Sequence, residues 1–110
     1  PLRPADPVEC VQVTTTVGSR DAAARLADEL VDARLAACAQ VVGPVASTYR
    51  WAGTVERAEE WYCHFKTTRA QAEALAAAIR ARHSYELPEL VAVPLDGSEE
   101  YLRWIAENVG

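Results

Sequence analysis

The sequence lacks several features that would each define a class of protein. It has no apolar run near the roughly 20 residues that span a bilayer, and its net charge of −5 comes without a basic stripe. Membrane and nucleic-acid partners are therefore not expected. The first seven residues contain three prolines and no apolar segment. We expect them to form a flexible lead-in rather than a signal peptide.

Cysteine is scarce, and its positions form no recognisable motif. Cys10, Cys38 and Cys63 are odd in number and include no C-x-x-C pair. Together with the expected absence of a secretion signal, this pattern favours three reduced thiols and an intracellular location. His64 and His83 are the only imidazole donors, and the combined spacings fit no zinc template.

Motifs for conventional catalysis are absent too. No Ser-His-Asp set, glycine-rich phosphate loop or H-E-x-x-H helix occurs in the sequence, so we predict no catalytic residues. The polar segment that starts at His83 leaves two interpretations open. His83 either bonds carbonyls at the end of a helix, or it is a ligand or proton carrier beside Tyr85 and Glu86.

Strand and helix patterns alternate along the rest of the chain. Valine- and threonine-rich stretches predict strands, and apolar residues at helical spacing after Ser19, Thr68 and Ser98 predict helices. Thr68 to Gln71 also matches a capping box. The predicted strands are Val8–Thr16, Cys38–Trp51, Thr54–Thr67 and Leu90–Leu95.

The order β-α-β-β-α-β-α defines the expected fold. Its first six elements match the split βαβ plan, so we predict one α+β domain over residues 1–110, a ferredoxin-like sandwich with an added C-terminal helix. Right-handed crossovers place the first and third strands in the centre of the sheet. The second and third strands exceed the usual five or six residues, which predicts a projecting hairpin. Pro44 is expected at an edge or a bulge.

Cys38 is the most informative of the thiols. It follows a Leu-Ala-Ala run where a helix meets a strand. It is therefore either a small buried hydrophobic residue or a thiolate ligand for copper(I) or another soft ion. We interpret Cys10 and Cys63 as packing residues and His64 as a surface or interface residue.

Five segments, in order from Val11 to Trp104, resemble the CutA family of divalent-cation tolerance proteins. They are Leu35-Ala36-Ala37-Cys38-Ala39, Ser47-x-Tyr49-x-Trp51-x-Gly53, Glu60 followed by Lys66-Thr67, the stretch from His83 to Glu89, and Tyr101-x-x-Trp104. One such segment would carry little weight, but five in order at the family's spacing make a specific resemblance.

The resemblance implies a ferredoxin-like subunit in a tight homotrimer, similar in fold and assembly to the signal-transducing PII proteins, with a cytoplasmic role in metal-ion tolerance. It implies that Cys38 and His83 are metal ligands, for copper or another divalent cation, with no obligatory cofactor. It also implies a cleft between subunits, for which the candidate residues are Tyr49, Trp51, Lys66, Tyr85, Glu86 and Glu89.

Two departures from the family pattern bear on the metal site. Ser84 replaces the usual proline after His83, which removes a constraint on the backbone. Thr15 and Ala78 stand where some relatives carry further cysteines. A copper site built from several cysteines is therefore not expected in this chain.

Three functions are consistent with the sequence. The first hypothesis is a trimeric protein that responds to a metal or another ligand without catalysis, with a physiological partner that the sequence does not identify. The second is an enzyme that uses His83 as an acid or base in a cleft between subunits, although no orienting partner has a recognisable spacing. The third is a structural trimer that anchors or stabilises other proteins.

Overall fold

The computed structural model describes residues 9–110, and its elements follow the predicted order. The start of the first predicted strand at Val8 and the lead-in over residues 1–7 lie outside the described residues. The elements are β1 (Cys10–Val17), α1 (Arg20–Asp32), β2 (Cys38–Trp51), β3 (Thr54–Thr68), α2 (Arg69–Arg82), β4 (Val91–Leu95) and α3 (Glu99–Glu107).

The four strands form one sheet in the order β2-β3-β1-β4, with every neighbouring pair antiparallel. β1 and β2 are joined through α1, and β3 lies between them, which is the split βαβ arrangement. The central strands are β1 and β3, as the handedness of the crossovers predicts. The predicted α+β, ferredoxin-like fold with a C-terminal helix is confirmed.

One face of the sheet carries the main core, because alternate residues of a strand point to the same side. Val11, Val13 and Phe65 are buried there against α1 and α2. The helices contribute apolar residues at helical spacing, namely Ala23, Leu26 and Leu30 from α1 and Ala72, Leu75 and Ile79 from α2. Alanines in both stripes let the helices lie close to the sheet, so the core is thin.

The opposite face of the sheet is covered by a helix at one end only. α3 packs there against Cys10 through Leu102 and Ile105. We call the remainder the open face. Its residues, in rows that start next to α3, are Cys38, Lys66, Gln12 and Val93, then Gln40, His64, Thr14 and Val91, then Val42, Tyr62 and Thr16.

β2 and β3 form the long hairpin that the sequence predicts. They contain 14 and 15 residues, every residue from Thr48 to Arg57 is exposed, and the longest dimension of the molecule is 44 Å. The pairing register shifts between Val42 and Val45. Pro44 therefore lies in a bulge, as expected for a residue that cannot donate to a ladder.

Two of the three predicted helix caps are confirmed. The hydroxyls of Ser19 and Ser98 accept hydrogen bonds from first-turn N–H groups at 3.1 and 3.3 Å. The capping box predicted at Thr68 is wrong, because this side chain makes no cap hydrogen bond and is buried at the end of β3. The Arg69 N–H donates instead to the Glu9 carbonyl at 2.8 Å.

Gly43 provides a test of packing at the bulge. A Cβ on this residue would lie within 3 Å of three ring atoms of Trp61. We expect Gly43→Ala to lower the free energy of unfolding by about 1–3 kcal/mol, measured by urea unfolding at fixed protein concentration. Gly97→Ala is the control, because its Cβ would be 3.6 Å from the nearest atom of Leu102. Similar losses in both variants would contradict this account of the bulge.

Candidate functional site

A cleft of about 860 Å³ lies at the end of the open face farthest from α3. The central strands form its floor, β2 forms one wall, and the segment after α2 forms the other. These parts comprise Thr16, Glu60 and Tyr62 on the floor, residues 45–49 and Trp51 on the β2 wall, and residues 85–89 opposite.

Two hydrogen bonds hold the segment after α2 across the end of β1. His83 Nε2 donates to the Thr16 carbonyl at 2.7 Å. The Thr15 hydroxyl donates to the Glu89 carbonyl at 2.6 Å. The chain between these anchors contains no helix or strand, yet both of its ends are fixed to a central strand. The wall of the cleft is therefore positioned by the sheet.

His83 uses both ring nitrogens within this arrangement. Nε2 bonds a carbonyl and must carry the proton, while Nδ1 accepts from the Tyr85 backbone N–H at 3.1 Å. The two rings also touch, with centroids 4.6 Å apart. His83 thus bonds a carbonyl, as one interpretation of the sequence expects, but that carbonyl belongs to Thr16 in β1 and not to the helix end.

Glu60 is the buried acidic group of the cleft, with only 7% of its surface exposed. The Tyr85 hydroxyl donates to its Oε2 at 2.8 Å, and its Oε1 has no partner among residues 9–110. Burial, followed by the hydrogen bond to Glu60 and the charge of that carboxylate, raises the pKa of Tyr85 to about 12. Tyr85 therefore keeps its proton at neutral pH and acts as the donor.

Glu60 is not among the candidate site residues expected from the sequence, although it lies in one of the segments that carry the resemblance. A signal was available in the alternation of the strand. Glu60 shares a side of β3 with Tyr62 and His64, whereas Glu59 points the other way and is exposed. A carboxylate on the same side of β3 as Tyr62 and His64 was therefore a candidate site residue.

The cleft brings together five of the six candidate cleft residues. These are Tyr49, Trp51, Tyr85, Glu86 and Glu89. Lys66 does not line the cleft of its own chain. It is paired with Gln12 in the row next to α3, and its Nζ donates to Gln40 Oε1 at 2.8 Å. Lys66 lies four positions along β3 from Tyr62, a distance of roughly 13 Å.

Cys38 is not the small buried residue that one interpretation expects. It is partly exposed, and its Sγ lies 3.8 Å from the Tyr101 hydroxyl of α3. Burial, followed by this contact with Cys38, raises the pKa of Tyr101. Cys10 and Cys63 are buried and unpaired, in agreement with packing roles, and burial raises the pKa of Cys63 to about 11.

The structure does not bring Cys38 and His83 together within one chain. Cys38 lies in the row of Gln12, whereas His83 contacts Thr16, four residues further along β1. Those residues span roughly 13 Å, and two strand spacings add about 10 Å sideways. Within residues 9–110, no group of three or more His, Cys, Asp or Glu side chains could hold a metal ion. One chain alone does not fit the implied metal site.

His64 lies in the middle row of the open face, which agrees with its interpretation as a surface or interface residue. Its Nδ1 is 2.9 Å from the Thr14 hydroxyl, and its ring stacks on Tyr62 with centroids 5.2 Å apart. Burial first, and the charge of Lys66 second, lower the pKa of His64, while Glu89 opposes them. The ring is therefore mostly neutral at pH 7.

Fold and site together define a ferredoxin-like α+β domain with an acidic, aromatic cleft on its sheet. The family model described as CutA1 divalent ion tolerance protein matches residues 11–108. The chain therefore belongs to the CutA1 divalent ion tolerance family, and the resemblance found in the sequence is confirmed.

Individual relatives agree with this assignment. The divalent-cation tolerance protein CutA of Thermus thermophilus is 41% identical over 99 residues, which cover 89% of this chain and 96% of the relative. A solved structure of the Cut A1 protein from Thermus thermophilus superposes with a TM-score of 0.88 and 40% identity, covering 92% of this chain and 99% of that one. The chloroplastic CutA of Arabidopsis thaliana is 36% identical over 102 residues, but this chain spans only 56% of that relative.

The bond between Tyr85 and Glu60 predicts a specific loss of stability. Tyr85→Phe leaves a buried carboxylate without its donor, so the free energy of unfolding should fall by about 1–3 kcal/mol at pH 7. Tyr49→Phe is a matched control, because the Tyr49 hydroxyl has no hydrogen-bond partner in the described part of the chain. Denaturant unfolding of the two variants measures the difference. Equal losses would show that the bond does not stabilise the fold.

The same bond predicts how this stability difference depends on pH. The pKa of Tyr85 is raised from 10.0 to about 12 in the folded protein. The resulting stabilisation is fully present below pH 10 and is lost as the pH rises towards 12. The difference between the unaltered protein and Tyr85→Phe should therefore stay constant from pH 7 to 9 and shrink above pH 10.

Proposed function

We propose that this protein is a homotrimeric, cytoplasmic binding protein in divalent-cation tolerance, which responds to a ligand in the cleft and carries out no catalysis. One observation carries the proposal. Beneath a segment fixed at both ends, the cleft keeps a buried carboxylate, Glu60, with one oxygen unpartnered in the described chain. That oxygen is not among the fully buried atoms that lack a hydrogen-bond partner, so it is open to the cleft, where a ligand or water can contact it.

The residues of the cleft support binding rather than catalysis. A general acid or base works best with a pKa near the operating pH, whereas the pKa of Tyr85 is about 12. His83, the candidate base of the enzyme hypothesis, has both ring nitrogens engaged by backbone groups. To transfer a proton, His83 would have to break one of these two hydrogen bonds. Its role in this arrangement is to position the segment that carries Tyr85.

The exposed surface of the sheet supports a trimer. β2 is an outer strand of 14 residues, and an edge of that length invites pairing with another chain. Val42, Val91 and Val93 on the open face are 50%, 50% and 49% exposed. Association that covers β2 and the open face would remove this apolar surface from water and supplement a thin core.

Assembly through these surfaces has a direct test. Light scattering at micromolar concentration should give three times the 12.0 kDa mass of the chain. Because folding and association are then linked, the midpoint of reversible unfolding should rise with protein concentration. A stable monomer, or unfolding curves that overlay across a hundredfold range of concentration, would contradict the trimer.

Binding of copper or another divalent cation by Cys38 and His83 stays a prediction. Thiolate suits copper(I) and imidazole suits copper in either state. In a single chain the two residues are far apart, so a shared ion would need Cys38 from one subunit and His83 from another. His83 would also have to release one of its two backbone partners.

Growth at inhibitory copper concentration tests the proposed function. In a host made copper-sensitive by deletion of its own family member, the unaltered protein should restore growth, whereas Glu60→Gln should restore less. Glu59→Gln removes the same charge from an exposed position and should behave like the unaltered protein. Loss of rescue in Cys38→Ser would support that thiol as a metal ligand, and full rescue would exclude Cys38 as a ligand. Failure of the unaltered protein would overturn the proposed function.

A further inference from the structure

We propose that α3 is a latched helix, which opens away from the sheet while the rest of the domain stays folded, and that Arg34 is its latch. α3 lies at the end of the open face opposite the cleft, so this device is independent of the proposed function. Its basis is a set of hydrogen bonds, all within one chain, between the turn after α1 and residues 107–110.

Arg34 occupies a backbone position where glycine is the usual residue. Its φ is 61°, in the left-handed region that a large side chain adopts only at a cost. The Arg34 N–H donates to the Val31 carbonyl at 3.0 Å, and the Leu35 N–H donates to the Leu30 carbonyl at 3.1 Å. These two bonds form a Schellman motif, which ends a helix and favours glycine at this position. The turn alone therefore does not account for an arginine.

The side chain and the carbonyl of Arg34 both bond the segment that ends α3 and follows it. The guanidinium donates from Nε to the Gly110 carbonyl at 3.0 Å and from Nη2 to the Glu107 carbonyl at 3.1 Å. The Arg34 carbonyl accepts from the Gly110 N–H at 2.9 Å. Because α3 has no basic residue in its last turn, Arg34 also supplies the positive charge that a helix C-terminus favours. The left-handed conformation thus directs three bonds at one distant segment.

The turn that carries Arg34 is itself fixed to the sheet. The hydroxyl of Thr67, a fully buried residue of β3, donates to the Leu35 carbonyl at 2.7 Å. The Ala37 N–H donates to the Lys66 carbonyl at 2.8 Å. Arg34 is therefore held on the part of the domain that contains a central strand, and α3 is the element free to move relative to it.

The apolar attachment of α3 is small. Of its nine residues, Leu102 and Ile105 are buried, and they pack around Cys10. A short helix with a small buried face belongs to the least stable parts of a structure, where local opening occurs. Opening would uncover Cys10, which is 1% exposed, but not Cys63, which is 0% exposed on the other face of the sheet. The bonds from Arg34 raise the free energy of that opening.

Hydrogen exchange of the intact chain, followed by mass spectrometry, measures how readily α3 opens. Arg34→Gly removes the guanidinium and suits the left-handed turn. We expect amides 102–107 to exchange roughly 5- to 30-fold faster in this variant, because two charge-assisted bonds at an exposed site are lost. Amides of α1 and α2 should not exchange faster. Arg103→Ala is the matched control, because its bond to Glu99 lies within α3, and it should change exchange by less than about threefold.

Thiol alkylation gives a second readout of the same opening. In Arg34→Gly, Cys10 should be alkylated faster by a similar factor, while Cys63 serves as the internal reference. Arg34→Ala loses the same side-chain bonds but keeps the strained turn, so it should open α3 as readily and be less stable overall than Arg34→Gly. This second variant keeps the test valid if the first fails to fold. Unchanged exchange in α3, equal acceleration in α1 and α2, or alkylation of Cys63 that rises together with that of Cys10 would overturn the latch.

Discussion

The incomplete cover of the sheet is the constraint on which the rest of the structure depends. α1 and α2 cover the centre of one face, whereas α3 covers only the end of the other face near Cys10. A sheet face without a helix must be shielded by polar side chains, by irregular chain or by another molecule. The first two devices are present here. Thr14 and His64 bond each other on the open face, and residues 85–89 cross its far end. The cleft is the space that this crossing leaves beneath it.

Glu60 shows what this arrangement costs. Burial of a carboxylate is unfavourable by several kcal/mol unless the charge is compensated, and the hydroxyl of Tyr85 supplies a hydrogen bond without a positive charge. Cys38 presents no such imbalance, because its thiol is partly exposed and touches a hydroxyl. Among the described residues, the fully buried polar atom without a hydrogen-bond partner is Trp61 Nε1 beside the bulge, whereas Glu60 keeps one oxygen open to the cleft, where a ligand can reach it.

The fold could be predicted from the sequence because its signals are local. Ser19 and Ser98 mark helix starts, Pro44 marks a bulge, and the alternation of Trp61, Cys63 and Phe65 identifies the core side of β3. The capping box at Thr68 was wrongly predicted, because a match to that sequence pattern carries no information about burial at the end of a strand.

The site was only partly predictable, because its geometry depends on contacts between residues far apart in the chain. Tyr49, Trp51 and Tyr85 could be proposed through resemblance. The burial of Glu60 arises only when the segment held by His83 folds across β1, 67 residues away in the sequence. The separation of Cys38 from His83 likewise depends on the order and register of the strands, which the individual sequence segments do not determine.

The cleft and the surface available for assembly share residues, and this overlap has a thermodynamic consequence. Tyr49 and Trp51 line the cleft, yet they also belong to the outer strand β2 through which we propose that subunits associate. A ligand that orders the β2 wall changes the free energy of association, and association changes the affinity for the ligand by the same factor. If the proposed trimer forms through β2, ligand binding and assembly are coupled without any moving domain. A small domain can in this way report the presence of a ligand through the stability of its own assembly.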